Sequence, residues 1–226
     1  MEKEYSKDLF RRALTALAMI LPIILIIFYE NFWLFAVTVS VISLLAYHEW
    51  IKNEFRHPVL WGFNLIFSYF WLLIILTAGD FIFNKASDLS EESILSFYVI
   101  FLISIFNTAI FDTAAYISGS MIGKKPIAPS ISPNKTWEGL VGGLLGSTLF
   151  SIFIANLFDL SLWIILIYLL GSALAFIGDL LISFHKREQN IKDTGTLLPG
   201  HGGILDRLDS HLLATPITII LTILLT

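Results

Sequence analysis

The stretch LSLWIILIYLLGSALAFIGDLLI, Leu160–Ile182, decides the class of fold. Its residues are almost all apolar, and its one charged residue, Asp179, stands near the C-terminal end. A helix of this length crosses the roughly 30 Å of hydrocarbon in a bilayer. The polar segment SFHKREQNIKDTGTLLPGHGGILDRLD, Ser183–Asp209, follows directly. The chain therefore places a concentrated group of charges beside a membrane span.

Further apolar runs of similar character occupy much of the chain: Ala13–Tyr29, Phe32–Tyr47, Leu60–Ala78, Ile94–Phe111, Leu140–Phe158 and His211–Thr226. Of 226 residues, 56% are hydrophobic and 14% are charged, which is unlike a soluble domain. Because an open backbone cannot cross lipid, we predict an all-α fold, a polytopic transmembrane helix bundle with about seven spans. No repeat or long linker divides it, so residues 1–226 form one predicted integral membrane domain.

The basic residues predict the orientation, because Lys and Arg near span ends stay in the cytoplasm. With a cytoplasmic N-terminus, all of the 14 Lys and Arg residues except Lys85 fall on the cytoplasmic side. The outer loop Asp80–Glu92 is acidic, and we interpret it as a solvated connector. We predict a multi-pass protein of the cell inner (plasma) membrane whose active site faces the cytoplasm.

Composition excludes several functions. Without cysteine the chain has no disulfide, thiolate metal site or cysteine nucleophile. The net charge of −4 does not favour nucleic acid, and we expect none as a partner. His48, Glu49 and His57 lack the spacing of a zinc protease, so we interpret them, with Trp50, as interfacial residues.

Polar, Gly-rich and Pro-rich sequence lies in two segments, 112–139 and 179–210, within the predicted catalytic half, residues 112–226. Residues 1–111 form the N-terminal spans. The glycines and prolines of the first segment predict a loop with short helical pieces. A helix start at Thr136, beside Lys135 and Ser132, would suit a phosphate. A capped helix with lysines as membrane anchors explains the same residues.

In the second segment, Asp179, Ser183 and Lys186 recur at i, i+4 and i+7, and they share one face if the helix continues past the span. Carboxylates from two chain segments beside Lys and Arg suit a divalent cation that bridges phosphates. We therefore predict Asp179 and Asp206 as metal ligands, with Asp209 as a further candidate. Three more residues remain ambiguous. Asp112 is a functional group or a helix end at the water interface, Asp193 is a weaker ligand candidate, and His201 is a general base, a metal ligand or a loop hydrogen-bonder.

At these positions the chain resembles the bacterial phosphatidate cytidylyltransferases, the CDP-diacylglycerol synthase family. The matching signature is Ser183, Lys186-Arg187, Lys192-Asp193, Pro199, His201-Gly202-Gly203, Asp206-Arg207 and Asp209. Further similar pieces are Asp112–Tyr116, Gly123-Lys124, Pro129 with Ser132–Gly139, Gly178–Leu180 and Glu49-Trp50. The chain departs from the family at His185, where an apolar residue is usual, and it is short for the family.

The resemblance implies that the phosphate of phosphatidic acid attacks the α-phosphorus of CTP, which gives CDP-diacylglycerol and pyrophosphate. It implies Mg²⁺, with a monovalent cation such as K⁺, and membrane lipid as a partner. The implied catalytic residues are Asp179, Asp206, Lys186 and Arg207. The implied substrate-binding residues are Ser132, Lys135, Thr136, Asp112, Ser183, Arg187, Lys192, Asp193, His201, Gly202 and Gly203. A homodimer is compatible with the chain, although no motif supports one.

Other functions remain open. A CTP-dependent polyprenol or lipid kinase would phosphorylate an alcohol and release CDP, and the complete signature argues against it. A CDP-alcohol phosphotransferase needs a sequence that starts with Asp-x-x-Asp-Gly, and the stretch Asp206–Asp209 is not followed by that glycine. A membrane transporter would place polar groups at mid-membrane depth, whereas here they gather at one end of the spans.

Overall fold

A computed structural model describes residues 20–26, 28–68 and 95–225. Within these ranges the chain is mainly helical, with a small β-hairpin. The helices are α1 (Phe32–Lys52), α2 (Asn64–Ile66) after a π-helical turn at Pro58–Phe63, α3 (Phe97–Ile122), α4 (Trp137–Leu157), α5 (Trp163–Glu188), α6 (Leu205–Leu208) and α7 (His211–Leu225). The strands are β1 (Pro126–Ala128) and β2 (Ser132–Thr136).

Four of these helices, α1, α3, α4 and α5, are long and apolar enough to cross a membrane. Their mean hydropathy ranges from 1.6 to 2.3 over the relevant windows. Helix α7 is apolar but has only 15 residues. The membrane character predicted from composition is therefore confirmed. The runs Ala13–Tyr29 and Leu60–Ala78 lie partly outside the described residues. The outer loop with Lys85 and the basic residues near the N-terminus lie wholly outside them.

The loop predicted for residues 112–139 is wrong in two respects. Helix α3 continues through Asp112 and Gly119 to Ile122. Within this helix Gly119 faces the start of α4, because a Cβ added to it would lie 3.6 Å from Gly139 Cα. Residues 126–136 then form an antiparallel hairpin, so the fold is not purely α-helical. Proline excludes a helix there, but a two-stranded edge tolerates it.

Small residues let α4 approach α3 closely. A Cβ added at Gly143 would lie 2.7 Å from the Phe111 ring, and one at Gly146 would lie 2.7 Å from Ala114. Small residues at helix contacts are the usual way for membrane helices to pack, because lipid supplies little hydrophobic drive between them. Helix α5 packs along α7 and also contacts α4 and α3.

A buried polar cluster joins α3, α4 and α5. Asn107 Nδ2 donates to Tyr168 O and to Ser172 Oγ, both at 3.1 Å, and Asn107 Oδ1 accepts from Ser147 Oγ at 2.7 Å. The three side chains are completely or almost completely buried. Each hydrogen bond here connects two different helices, so the cluster contributes to holding the bundle together.

We expect Asn107→Leu to lower the free energy of unfolding by about 1–2 kcal/mol, because Ser147, Ser172 and the carbonyl of Tyr168 each lose one interhelical hydrogen bond. Equilibrium unfolding in mixed detergent micelles measures the change. Asn156→Leu is the matched control, since the exposed Asn156 donates to Ile152 O of its own helix. Equal losses in the two variants would contradict a bundle-joining role for Asn107.

Candidate active site

The end of α5 presents a carboxylate, a hydroxyl and an ammonium on one face. The helix continues past the apolar run to Glu188, as the spacing requires. Ser183 Oγ donates to Asp179 Oδ1 at 3.3 Å, and Lys186 Nζ pairs with Asp206 Oδ1 at 2.8 Å. The structure therefore brings the second polar segment back onto the helix that precedes it.

Asp206 is held by donors from three directions. Its Oδ1 accepts from Lys186, while its Oδ2 accepts from the N–H groups of Thr194 at 2.7 Å and Gly203 at 2.9 Å. Burial favours the neutral acid, but the hydrogen bond from Lys186 and those from the backbone outweigh burial and hold the pKa of Asp206 below its ordinary value. Asp206 is consequently ionised at neutral pH.

A tight glycine turn shapes the backbone around Asp206. The N–H of Leu198 donates to Gly202 O at 2.9 Å, and the N–H of His201 donates to Leu198 O at 2.8 Å. Gly202 has φ +83°, in the left-handed region that favours glycine. A Cβ there would lie 2.8 Å from Asp206 Oδ2. The glycine therefore permits both the turn and the close approach of Asp206.

Lys135 extends from β2 to Asp179. Its Nζ lies 2.6 Å from Asp179 Oδ2 and 5.4 Å from the centre of the Phe176 ring. The next residue, Thr136, caps α4 by accepting from the N–H of Gly139 at 3.1 Å, which confirms the predicted helix start. The buried Lys135 ammonium makes no well-aligned hydrogen bond within the described part of the chain. Apart from the ion pair with Asp179, its donors have no partner among the described residues, and they suit an anionic ligand.

Two further carboxylates lie near this ion pair. Asp112 accepts a hydrogen bond from Ser210 and interacts electrostatically with Asp179 and Lys135. Burial, followed by repulsion from Asp179, raises the pKa of Asp209 to about 7. Among residues 20–26, 28–68 and 95–225, no three acidic or histidine side chains form a ready-made metal site. A cation here would need water or phosphate oxygens to complete its coordination.

We expect the metal-free protein to lose stability as the pH rises from about 4 to about 7, through Asp209. Asp209 keeps its proton up to about pH 7 when folded, against 3.8 for an ordinary aspartate. The folded state therefore binds more protons than the unfolded state in this window, and raising the pH favours unfolding. Thermal unfolding over this range should show Asp209→Asn flattening the profile and the exposed control Asp159→Asn leaving it unchanged. A profile unaffected by Asp209→Asn would contradict the raised pKa.

A second group of candidate residues lines a cavity of about 490 Å³. Lys192, Asp193, His201, Gly202 and Arg207 contribute to its wall, whereas Lys135, Asp179 and Asp209 do not. Arg207 Nε donates to His201 O at 2.9 Å, which fixes one side of the cavity. The candidate residues therefore form two groups. The Lys186–Asp206 ion pair connects them, because Lys186 belongs to α5 and Asp206 lies beside Gly202 of the cavity wall.

Arg187 connects the hairpin to the segment that follows α5. Its Nε donates to Ile131 O at 3.1 Å, and its Nη1 donates to Ile191 O at 2.9 Å. Ser132 begins β2 opposite Ala128 in the same hairpin. These contacts show how Arg187 and Ser132 are placed, while their predicted roles in substrate binding stay predictions.

The interpretation of Glu49 and Trp50 as interfacial residues is wrong. Only 5% of Glu49 and 0% of Trp50 is exposed, although His48 and His57 are exposed. Glu49 accepts hydrogen bonds from the segment that carries Asp206, more than 140 residues away along the chain. The one local signal was a Glu-Trp pair at the polar end of an apolar helix, which does not reveal such distant partners.

His185, the departure from the family signature, is buried beside aromatic rings. Its ring centre lies 4.9 Å from that of Trp50 and 5.5 Å from that of Phe55. Its Nδ1 is 2.9 Å from Leu181 O, one helical turn earlier. An imidazole fits this site because its polar edge is satisfied by the helix while its face packs as an apolar ring would.

Comparison with known proteins identifies the family. Residues 63–225 match the profile of the cytidylyltransferase family. The chain belongs to this family. The matched range contains every candidate site residue from Asp112 to Asp209, but it leaves α1 and Glu49 outside.

Individual relatives support this cytidylyltransferase assignment. A phosphatidate cytidylyltransferase of Staphylococcus saprophyticus subsp. saprophyticus is 36% identical over 186 residues, which cover 80% of this chain and 65% of that protein. Those of Staphylococcus haemolyticus and Staphylococcus aureus are 45% identical over 115 residues, or 50% of this chain and 44% of each relative. This cytidylyltransferase-family chain thus matches less than two thirds of the length of these curated relatives.

Proposed function

We propose that the chain is a membrane-bound phosphatidate cytidylyltransferase, which converts CTP and phosphatidic acid into CDP-diacylglycerol and pyrophosphate. One observation carries the proposal: the Lys135–Asp179 and Lys186–Asp206 ion pairs meet the same end of α5. Two lysines and several carboxylates at one place suit a reaction between phosphate groups. The names of the relatives support the choice of phosphatidic acid as the acceptor.

The residues fit nucleotidyl transfer without a protein nucleophile. A phosphate oxygen of phosphatidic acid attacks the α-phosphorus of CTP, and the bond from that phosphorus to the oxygen bridging to the β-phosphate breaks. The barrier falls mainly through positioning and charge neutralisation, since both reactants are polyanions. Lys135 offers its free donors to one phosphate group, and Lys192 and Arg207 offer theirs from the cavity.

The donor set near α5 fits Mg²⁺. Asp179 and Asp209 supply hard oxygen ligands, and Mg²⁺ is commonly held by one or two carboxylates together with substrate phosphates. Both Asp206 oxygens already accept hydrogen bonds, so this third candidate ligand would bind a metal only by exchanging a present donor. Bound Mg²⁺ would neutralise charge on the phosphates. A monovalent cation such as K⁺ remains part of the proposal.

The topology completes the proposal. We place about seven spans in the inner membrane, with the N-terminus and the active site on the cytoplasmic side, where CTP is present. Four long apolar helices and the distribution of the 14 basic residues support this arrangement. Phosphatidic acid would reach the site sideways from the bilayer. A single membrane domain with residues 112–226 as its catalytic half, and a homodimer, both stay predictions.

Product analysis of the purified protein in detergent tests the function. With CTP labelled at the α-phosphate, phosphatidic acid and Mg²⁺, we expect labelled CDP-diacylglycerol and unlabelled pyrophosphate, and we expect both to disappear when Mg²⁺ is chelated. Release of CDP only when an alcohol lipid is supplied would instead indicate the lipid kinase. If the protein consumes no CTP and releases no pyrophosphate with either lipid, the result would favour the transporter.

A further inference from the structure

Glu49 in α1 binds the segment that carries Asp206. Its Oε1 accepts from the N–H of Ile204 at 3.0 Å, and its Oε2 accepts from the N–H of Leu205 at 2.9 Å. These are backbone groups at the start of α6. The same Oε2 accepts from Thr194 Oγ1 at 2.8 Å. One buried carboxylate thus fixes both sides of the glycine turn.

The segment is shaped to receive this carboxylate. A Cβ at Gly195 would lie 2.8 Å from Glu49 Oε1, and one at Gly203 would overlap Glu49 Oε2. Asn53, which caps the end of α1, donates its Nδ2 to Thr194 O at 2.7 Å. Two side chains one turn apart at the C-terminal end of α1, Glu49 and Asn53, therefore contact this segment.

Thr194 relays the position of Glu49 to Asp206. Its Oγ1 lies between Glu49 Oε2 at 2.8 Å and Asp206 Oδ2 at 3.0 Å, and its N–H donates to the same Asp206 oxygen at 2.7 Å. Asp206 in turn orients Lys186. A change at Glu49 must therefore move the acceptor that holds Lys186, although Glu49 is not part of the cavity wall.

We propose that Glu49 is a positioning residue for nucleotidyl transfer, which acts through Thr194 to hold Asp206 and Lys186 toward the reacting phosphates. This inference rests on the proposed function. It extends the active site to α1, outside the residues that match the family profile. The carboxylate charge is required because three donors converge on it, and a neutral amide would present its own N–H groups to one of them.

Steady-state kinetics of Glu49→Gln test the proposal. We expect kcat to fall about 10- to 100-fold, the usual effect of removing a group that orients a ligand-binding residue. The KM values for CTP and phosphatidic acid should stay within about twofold, because Glu49 orients groups without binding either substrate. Thr194→Val should reproduce the loss, and Thr194→Ser, which retains the hydroxyl, should restore most of the rate. His48→Gln, on the exposed neighbouring position, is the matched control.

Two kinetic results would overturn the proposal. One is turnover by Glu49→Gln equal to that of His48→Gln. The other is a lower rate explained entirely by less folded protein, with the kcat of the folded fraction unchanged. Hydrogen exchange separates this inference from the proposed function: even if the wild-type protein forms no CDP-diacylglycerol, Glu49→Gln must accelerate exchange in residues 194–205 while leaving α4 unchanged. Unaltered exchange in that segment would also refute the positioning role.

Discussion

Asp206→Ala should reduce cytidylyl transfer about 10³-fold or more while the protein remains inserted in the membrane. The substitution removes the counter-charge of the Lys186 ammonium, and the Lys186 side chain is only 11% exposed. It also removes the acceptor of the Thr194 and Gly203 N–H groups. An unpaired buried charge is among the most damaging single changes. Formation of CDP-diacylglycerol in detergent measures the loss, and a membrane-fraction assay checks insertion.

Two further variants serve as comparisons for Asp206→Ala. Asp206→Asn keeps the shape and one acceptor oxygen but removes the charge, so we expect an intermediate rate. Asp159→Asn changes an exposed aspartate in the loop between α4 and α5 and should retain full activity. Robust turnover by Asp206→Ala would refute both its metal-ligand role and its role in holding Lys186.

Lys135→Met should lower kcat about 10²- to 10³-fold, in the range found when a donor that stabilises developing charge is removed. Methionine preserves the length and the packing over Phe176, so the loss isolates the charge. The buried ammonium pairs with Asp179 and retains unused donors, which a phosphate would occupy in the reaction. Lys124→Met, on the exposed approach to the same hairpin, is the control and should be nearly as active as wild type.

A double-substitution cycle distinguishes a phosphate-binding lysine from one that serves only as a partner of Asp179. If Lys135 served only to pair with Asp179, then Asp179→Asn would abolish the effect of Lys135→Met. If Lys135 also binds a reacting phosphate, Lys135→Met should still lower the rate of the chemical step in the Asp179→Asn background. Because turnover of Asp179→Asn will be low, single-turnover measurements at high enzyme concentration are the appropriate readout.

Local patterns predicted the elements that depend on near neighbours. The continuation of α5 to Glu188 follows from unbroken helix-forming sequence, and it places Asp179 and Ser183 one turn apart. Thr136 begins α4 because its hydroxyl caps the N–H of Gly139, three residues away. The hairpin at 126–136 escaped prediction because its strands are short and its prolines indicate a loop as readily as an edge strand.

The sequence by itself determined the membrane class, most helix positions, the family and the residues that carry charge at the site. Only the tertiary structure decided how those residues are divided: Lys135 with Asp179, Lys186 with Asp206, and Lys192 with Arg207 around the cavity. It alone revealed the partners of Glu49, because Thr194 and Leu205 are 145 and 156 residues away along the chain. Helix periodicity and capping depend on residues a few positions apart. The partners of a buried carboxylate depend instead on which donors the folded chain places beside it.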